Sequence, residues 1–384
     1  MPHVTVAPKT LASALSALRP AVSRRSAIEA LRGVRITANE NAVRLSVSDL
    51  TIFGELQLAD AAAQGDVDVV VDHALLADVA RLLAADGELT LSVECSAAAA
   101  DPGRVRCRCA RRSVTLPLYR LADFPAWPTG AGERVLTANG TTLGAALERV
   151  GRFASKDETR PVLCTLNLDW EQQPVLVATD TWRLAVIAAP ARVVARKRRP
   201  TRQQPNPNQL TIDARGLLVA AKAMRGAETI ELLASQDFAT VQWPSARFTI
   251  RRIPGHFPRW RELITDNYRT WITLSVAELA QACELANAFV TDGKAVELHA
   301  DGDVRLQLDR VSDAGFEQAL AEAQIERSEP GAVEVHLNPQ FLRSAAKAIM
   351  GERVAVKLSS NRRRPVLFED GDDRYLVMPM VNPR

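Results

Sequence analysis

Aromatic residues make up only 5% of this 384-residue chain, five cysteines are scattered along it, and the formal net charge is just +3. Each scarcity excludes something. An odd number of widely spaced cysteines (Cys95, Cys107, Cys109, Cys164, Cys283) suits reduced thiols and not a disulfide framework. No window approaches 18 uninterrupted apolar residues, so no membrane-spanning helix is expected. The first ten residues, MPHVTVAPKT, lack a charged segment followed by a long apolar one, which points to a cytoplasmic protein. A balance of 48 Lys+Arg against 45 Asp+Glu does not by itself indicate a nucleic-acid partner. With 47% hydrophobic residues, many of them Ala, Val and Leu, the chain is neither disordered nor aromatic-cored; its cores are expected to be small and aliphatic. The length fits two or three domains, and equal thirds would hold 128 residues each.

The usual signatures of catalysis are also missing. Neither G-x-G-x-x-G nor G-x-x-x-x-G-K-[ST] occurs, so no glycine cradle for phosphate is evident and no nucleotide cofactor is expected. The five histidines (His3, His73, His256, His299, His336) are dispersed without a paired spacing, and no G-x-S-x-G elbow offers a nucleophile. Distant residues can still meet in space, so an α+β hydrolase with a site assembled across the chain stays open as an alternative. The acidic EDGDDRY at 369–375 lacks EF-hand ligand spacing and reads better as a hairpin turn than as a cation site. Cys107 and Cys109, in the alternating RVRCRCARRSVTL, should share one face of a strand; no metal-ligand partner lies near them in sequence.

What the chain does contain is a threefold repeat. Three amphipathic helices are expected: PKTLASALSALRPAV from Pro8, NGTTLGAALERVGRFA from Asn139 and SVAELAQACELANAFV from Ser275. A second helix follows each at a similar offset, DHALLADVARLLA from Asp72, DARGLLVAAKAM from Asp213 and NPQFLRSAAKAIM from Asn338, each opening on a residue suited to N-capping. Between them lie strand-like runs such as VRLSVSDL, VLVATDTWRLAVIAA, VRLQLDRV, TIELLA, ATVQWP and RFTIRRI. The first two repeats leave by related exits, LYRLADFPAWP at 118–128 and IRRIPGHFPRW ending at Trp260.

Positive charge is local. From Arg192 to Arg202 there are six basic residues and no acid, followed by QQPNPNQ; this reads as a loop, either a solvated insertion or one that contacts phosphate or a partner. Taking those six from the 48 leaves 42 basic residues against 45 acidic ones, so the rest of the chain is mildly acidic. On the helix from Asn139, Arg149, Arg152 and Lys156 fall at i, i+3 and i+7 beside an apolar stripe of Leu143, Leu147 and Val150. Lys222 and Arg225, then Arg343 and Lys347, repeat this more sparsely, and Arg24 and Arg25 follow the first helix. Any one pair is a plain solvated face; their recurrence suggests a surface that meets phosphates without reading bases. An open, non-ring DNA-binding module is a further reading of the same stripes.

The segments TRPVLCTLNLD (159–169), LVATDTWRLAV (176–186), HFPRW (256–260), NPQFLRSAAKAI (338–349) and YLVMPM (375–380) resemble the bacterial DNA polymerase III beta subunit, the sliding clamp. The resemblance implies an α+β fold of three repeated clamp domains, 1–128, 129–266 and 267–384, each with two helices packed on antiparallel sheets. It further implies a head-to-tail homodimeric ring around duplex DNA, without catalysis, metal or membrane association. It places a peptide-binding pocket between the second and third domains for polymerase subunits, the clamp loader and repair proteins. Carried over by motif, the pocket consists of Leu163, Thr179, Thr181, Trp182, Arg183, Leu184, Pro258, Leu263, Asn338, Phe341, Leu376, Val377, Met378, Pro379 and Met380. Several positions depart from the family: Thr181-Trp182 replaces a common Gly-His, Gly293 stands where an aromatic is expected, and Val381 to Arg384 extend the end. These departures allow a specialised or paralogous clamp with altered partner selectivity.

Overall fold

The computed structural model describes residues 1–83, 87–94, 102–128, 132–197, 206–265, 267–289, 295–311, 314–327, 333–359, 361 and 363–380. Cys95, Gly293, residues 198–202 of the basic stretch and Val381 to Arg384 lie outside them. Among the described residues six α-helices stand where the periodicity places them: α1 Pro8–Leu18, α2 His73–Leu82, α3 Gly140–Val150, α4 Ala214–Ala223, α5 Val276–Phe289 and α6 Pro339–Ala346. None of the described helices is long and apolar enough to cross a membrane. The capping residues act as their chemistry suggests. Asp72 accepts from the Leu75 N–H (2.9 Å), Asn139 from Thr142 (3.1 Å) and Asn338 from Gln340 (2.9 Å). A strand leads directly into every helix, from His3–Val6 before α1 to Val333–Leu337 before α6, so each repeat begins one strand earlier than periodicity suggested.

The chain folds into two compact units. The first comprises Met1–Gly144, Ala191–Arg196 and Arg215–Arg252; the second comprises Ala145–Pro190, Lys197–Ala214 and Ile253–Arg384. The middle repeat is shared between them because strand pairing ignores repeat boundaries.

In the first unit one sheet of fourteen strands runs from Ala191–Val193 through Glu133–Ala138, Ile230–Ala234, Phe238–Trp243 and Ala246–Arg251 to Ile52–Gln57. It continues through Ala42–Ser48, Gly33–Asn39, Val67–Asp72, Arg112–Tyr119, Arg104–Cys109, Leu89–Glu94 and His3–Val6 to Ala62–Gln64. Part of the expected basic loop is thus an edge strand: Ala191–Val193 pairs antiparallel with Leu136–Ala138, and backbone pairing overrides the repulsion that a basic run suggests. The seam between first and second repeats is the pairing of Ala246–Ile250 with Ile52–Leu56. The first repeat's exit crosses this seam, where the Trp127 indole donates to Thr249 Oγ1 (3.1 Å) and packs 5.6 Å from the Phe53 ring. Cys107 and Cys109 do share a buried face of their strand.

Helices α1 and α2 bury Leu11, Leu15, Leu18, Leu76, Val79 and Ala80. His73 opens α2, is buried, and donates from Nε2 to the Leu15 carbonyl (2.9 Å); burial lowers its pKa, so it sits there as neutral imidazole. Gly144 of α3 packs against α4, where an added Cβ would stand 2.8 Å from the Ala221 carbonyl oxygen.

In the second unit a nine-stranded sheet has the order Gln209–Asp213, Thr165–Asp169, Val175–Thr179, Arg183–Ala188, Asp373–Val377, Val366–Asp370, Arg353–Leu358, Thr270–Ser275, Gln324–Arg327. A separate four-stranded sheet has the order Ala314–Ala319, Asp303–Val311, Val296–Asp301, Val333–Leu337. EDGDDRY forms the hairpin that joins Val366–Asp370 to Asp373–Val377, with Gly371 at φ 61° in the turn.

The glycine between α3 and α4 is testable. Gly144→Val must displace helix backbone, and we expect a loss of about 2 kcal/mol in urea unfolding, against little change for Ala145→Ser at the exposed neighbouring position.

Candidate functional site

The site predicted by motif lies entirely within the second unit and is built on a second seam. Arg183–Val186 pairs antiparallel with Arg374–Val377, so Leu184 faces Leu376 across the boundary between second and third repeats. Alternation along the strands puts Val177, Leu184, Val186, Leu367 and Leu376 on one face. The segment following the second exit folds over that face with Phe257, Trp260 and Tyr268, while Val162, Val175, Ile264 and Trp271 pack around the rim. Burial and loss of solvation push the Tyr268 phenol up to about 12, and its hydroxyl donates to the Pro365 carbonyl (3.1 Å).

An ion pair between a buried carboxylate and a half-buried guanidinium fixes the covering segment. Asp169, with no exposed side-chain surface, receives both terminal nitrogens of Arg261 (2.6 and 2.8 Å) and the Gln209 amide (2.7 Å). Burial alone would raise the Asp169 pKa; the donors, Arg261 first, hold it below the usual carboxylate range.

The ATDTWR motif is a tight turn that closes one end of the face. Thr179 donates to the Arg183 carbonyl (2.7 Å), and Asp180 Oδ1 accepts from the backbone of Trp182 (3.0 Å) and Arg183 (2.7 Å). Thr181 adopts φ 80°, a conformation costly for a β-branched residue, by about 1–3 kcal/mol. The strained turn holds Trp182 outward, 58% exposed, and the Trp182 carbonyl accepts from Met378 N–H (2.8 Å). Leu263, 51% exposed, is the other large apolar side chain presented near the covering segment.

These placements sort the fifteen motif residues. Leu184 and Leu376 form a buried floor, with Leu163, Thr179 and Pro379 also buried; Pro258, Met378 and Met380 are half-buried, and Thr181, Trp182 and Leu263 exposed. The remaining four belong to the opposite, helix-bearing face. Arg183 is sandwiched between the Phe153 ring (5.5 Å) and the Phe341 ring (4.8 Å), forks onto Asp180 and donates to Ser344 (2.8 Å). Val377, cross-strand from Arg183, is fully buried, and the Asn338 side chain caps α6. They brace the turn from behind. Val162, Phe257, Tyr268, Trp260 and Leu367 were missed by motif reasoning. The available signal was aromatic density: Phe257, Trp260, Tyr268 and Trp271 crowd one stretch of an aromatic-poor chain.

Among the basic residues one expectation is overturned. Arg149 does not face outward: it donates to the Ala348 carbonyl (2.8 Å), to Asp373 and to the Tyr375 hydroxyl (2.5 Å). Burial would lower its pKa, but Tyr375 and Asp373 outweigh that and raise it. Helical spacing could not reveal this, since the C-terminal hairpin lies beneath α3. Arg152, Lys156, Lys222, Arg225, Arg24 and Arg25 are exposed. Arg343 and Lys347 sit at the surface, both bonded to Glu284 of α5 (2.8 and 2.9 Å).

Elsewhere, in the first unit, a cleft of about 940 Å³ is lined by Trp243, Arg44, Arg247, Glu55, Glu228 and Glu231 among others. Its charges are of both signs, and no sequence motif had marked it.

Paired helices on antiparallel sheets, repeated and sewn together by strand seams, define a DNA-clamp fold. Residues 3–128 match the family model of the DNA polymerase III beta subunit N-terminal domain, and residues 137–259 match that of its central domain. The beta sliding clamp of Micrococcus luteus is 26% identical over 325 residues, covering 82% of this chain and 97% of the relative. That of Streptomyces coelicolor is 23% identical over 387 residues, with 96% of each covered. In fold the chain is similar to the Bacillus subtilis sliding clamp (TM-score 0.84, 18% identity, full coverage of both). It is also similar to a Pseudomonas aeruginosa DnaN sliding clamp solved bound to griselimycin (TM-score 0.86, 20% identity, 99% of this chain and 100% of that one). The chain belongs to the DNA polymerase III beta subunit family, the bacterial sliding clamps, whose members are processivity factors for DNA polymerase.

Arg149 and Arg152 should therefore behave oppositely. Arg149→Met strands Asp373 and is expected to cost about 3 kcal/mol in chemical unfolding. Arg152→Met should leave stability unchanged and reduce the salt slope of DNA binding by about one.

Proposed function

We propose that two copies of this chain close head to tail into a ring of six domains, 1–128, 129–266 and 267–384 from each copy, around duplex DNA. The observation that carries this reading is the arithmetic of the seams. The last strand of the second repeat, Ala246–Arg251, pairs with the third strand of the first repeat's hairpin run, Ile52–Gln57. The last strand of the third repeat, Asp373–Val377, pairs with the corresponding strand of the second, Arg183–Ala188. One strand of each kind is left over. Arg112–Tyr119 closes the first repeat and pairs with Arg104–Cys109, touching Val67–Asp72 only at its last two residues. Ala314–Ala319 ends its sheet, and among the described residues it pairs only with Asp303–Val311. A second copy supplies each missing edge. Such a contact is heterologous, and two of them close a ring. Val114, 37% exposed on the open strand, would be covered by it.

Within the ring, Arg24, Arg25, Arg152, Lys156, Lys222, Arg225, Arg343 and Lys347 would meet phosphates without reading sequence. No bond is made or broken: retention is topological, and weak screened contacts permit sliding. Polymerase subunits, the clamp loader and repair proteins would dock short peptides, rich in Gln, Leu and Phe, on the apolar corner of the second unit. Trp182, Leu263, Met378 and Pro258 would line that corner above the floor of Leu184 and Leu376. Aliphatic and Met side chains accommodate varied apolar anchors, while the turn at Thr179–Arg183 fixes register.

The ring reading is tested by loading the protein on closed-circular DNA and then linearising it. We expect release on cutting, with a solution mass of two chains; equal lifetimes on linear and circular DNA would overturn the ring. For the pocket, a charge at Leu184 would be buried in the seam and damage the fold, so the informative change is at the surface. Trp182→Ala should weaken a polymerase tail peptide by 10-fold or more, about 1.4 kcal/mol, without altering the dimer. Unchanged peptide affinity would reject the assignment.

A further inference from the structure

On the solvent face of the four-stranded sheet two histidines and two glutamates form a cross-strand quartet that the clamp activity does not use. Val296–Asp301 and Val333–Leu337 are neighbours whose register sets Glu297 opposite His336 and His299 opposite Glu334. Val296, Leu298, Ala300, Val333, Val335 and Leu337 are buried, so alternation turns all four polar side chains to the other face. His299 Nδ1 lies 3.7 Å from Glu297 Oε1 and 3.9 Å from Glu334 Oε1. One ligand atom from each of Glu297, His299 and Glu334 falls within 4.8 Å of the others. Ligands bound at about 2.0–2.1 Å in a tetrahedron stand roughly 3.3–3.4 Å apart, so rotamer adjustments of a few tenths of an ångström, more for the widest pair, would bring these atoms to ligand spacing.

We infer that Glu297, His299 and Glu334 bind a divalent transition-metal ion of the Zn²⁺ class, with a fourth position open to water. Two carboxylates and one neutral imidazole balance a doubly charged cation, and imidazole with carboxylate selects zinc-like ions over calcium or magnesium. The surroundings support the ligands. The other oxygen of Glu297 lies 3.5 Å from His336 Nε2, and the Gln307 amide donates to Glu297 Oε1 (3.0 Å), so Glu297 is oriented from both sides. The charge of Arg305, cross-strand from His299, is offset by its ion pairs with Asp303 (3.2 Å) and Glu317 (3.1 Å). The frame is two paired strands and not a loop, so little order has to be created on binding.

The test is calorimetric titration of ZnCl₂ into the intact, chelator-free protein. We expect one tight equivalent per chain, weakened at least 100-fold by His299→Ala, at least 10-fold by Glu334→Gln and less by His336→Gln, which removes only the ring 3.5 Å from Glu297. Glu334 is exposed and His299 and His336 are half-buried, so the metal-free variants should unfold close to wild type, and Zn²⁺ should raise the midpoint of wild type and much less that of His299→Ala. Absence of a stoichiometric event, or one that persists in both His299→Ala and Glu334→Gln, overturns the site. Titration with Co²⁺ adds a second arm: ligand-field bands without thiolate charge transfer fit these ligands, whereas charge-transfer bands would assign the ion to a cysteine and overturn it.

Discussion

Antiparallel strand pairing across repeat boundaries is the constraint on which the rest of this structure rests. Each repeat alone would leave one strand edge bare on either side, and bare edges expose backbone donors and acceptors that must be satisfied. Joining Ala246–Arg251 to Ile52–Gln57, and Asp373–Val377 to Arg183–Ala188, satisfies them within the chain and makes one repeat's sheet continuous with the next. Side chains then reinforce each seam. Trp127 reaches Thr249 over the first, and Arg149 binds Asp373 and Tyr375 at the second. In the proposed ring, the edges left open at Arg112–Tyr119 and Ala314–Ala319 would be met by a second copy.

The candidate site sits on the second seam for a related physical reason. A junction of two sheets gives a rigid apolar floor, Leu184 against Leu376, and it brings a turn and a chain end together at one corner. The covering segment is held by Asp169 and Arg261, a pair whose isolated charges would be costly to bury, so that segment has a well-defined position. A chain so sparing of aromatic residues places four of them in this stretch, and Trp182 stands exposed at the corner's edge.

Local order was legible in the sequence and distant pairing was not. Helices follow from apolar spacing and from caps such as Asp72, Asn139 and Asn338, each a signal contained within a few residues. Strand partners such as Phe248 and Gly54, or Leu184 and Leu376, lie nearly two hundred residues apart and carry no local mark of one another. Arg149 was misread for the same reason: a helical wheel shows which residues share a stripe, not which stripe lies over a hairpin made of residues 366–377. Arg183 and Val377 were recognisable as motif members, yet only the pleat reveals that they support the site from behind. The histidines that look dispersed in sequence include His299 and His336, which register sets on adjacent strands.

The pairing of Arg343 and Lys347 with Glu284 has a consequence for motion. If α6 meets DNA as proposed, its cations arrive already neutralised, and each phosphate contact replaces a carboxylate with another anion. Such an exchange gains little and costs little to reverse. The energy of the complex then varies weakly with position along the duplex, so this surface would behave as a low-friction bearing and not as a grip.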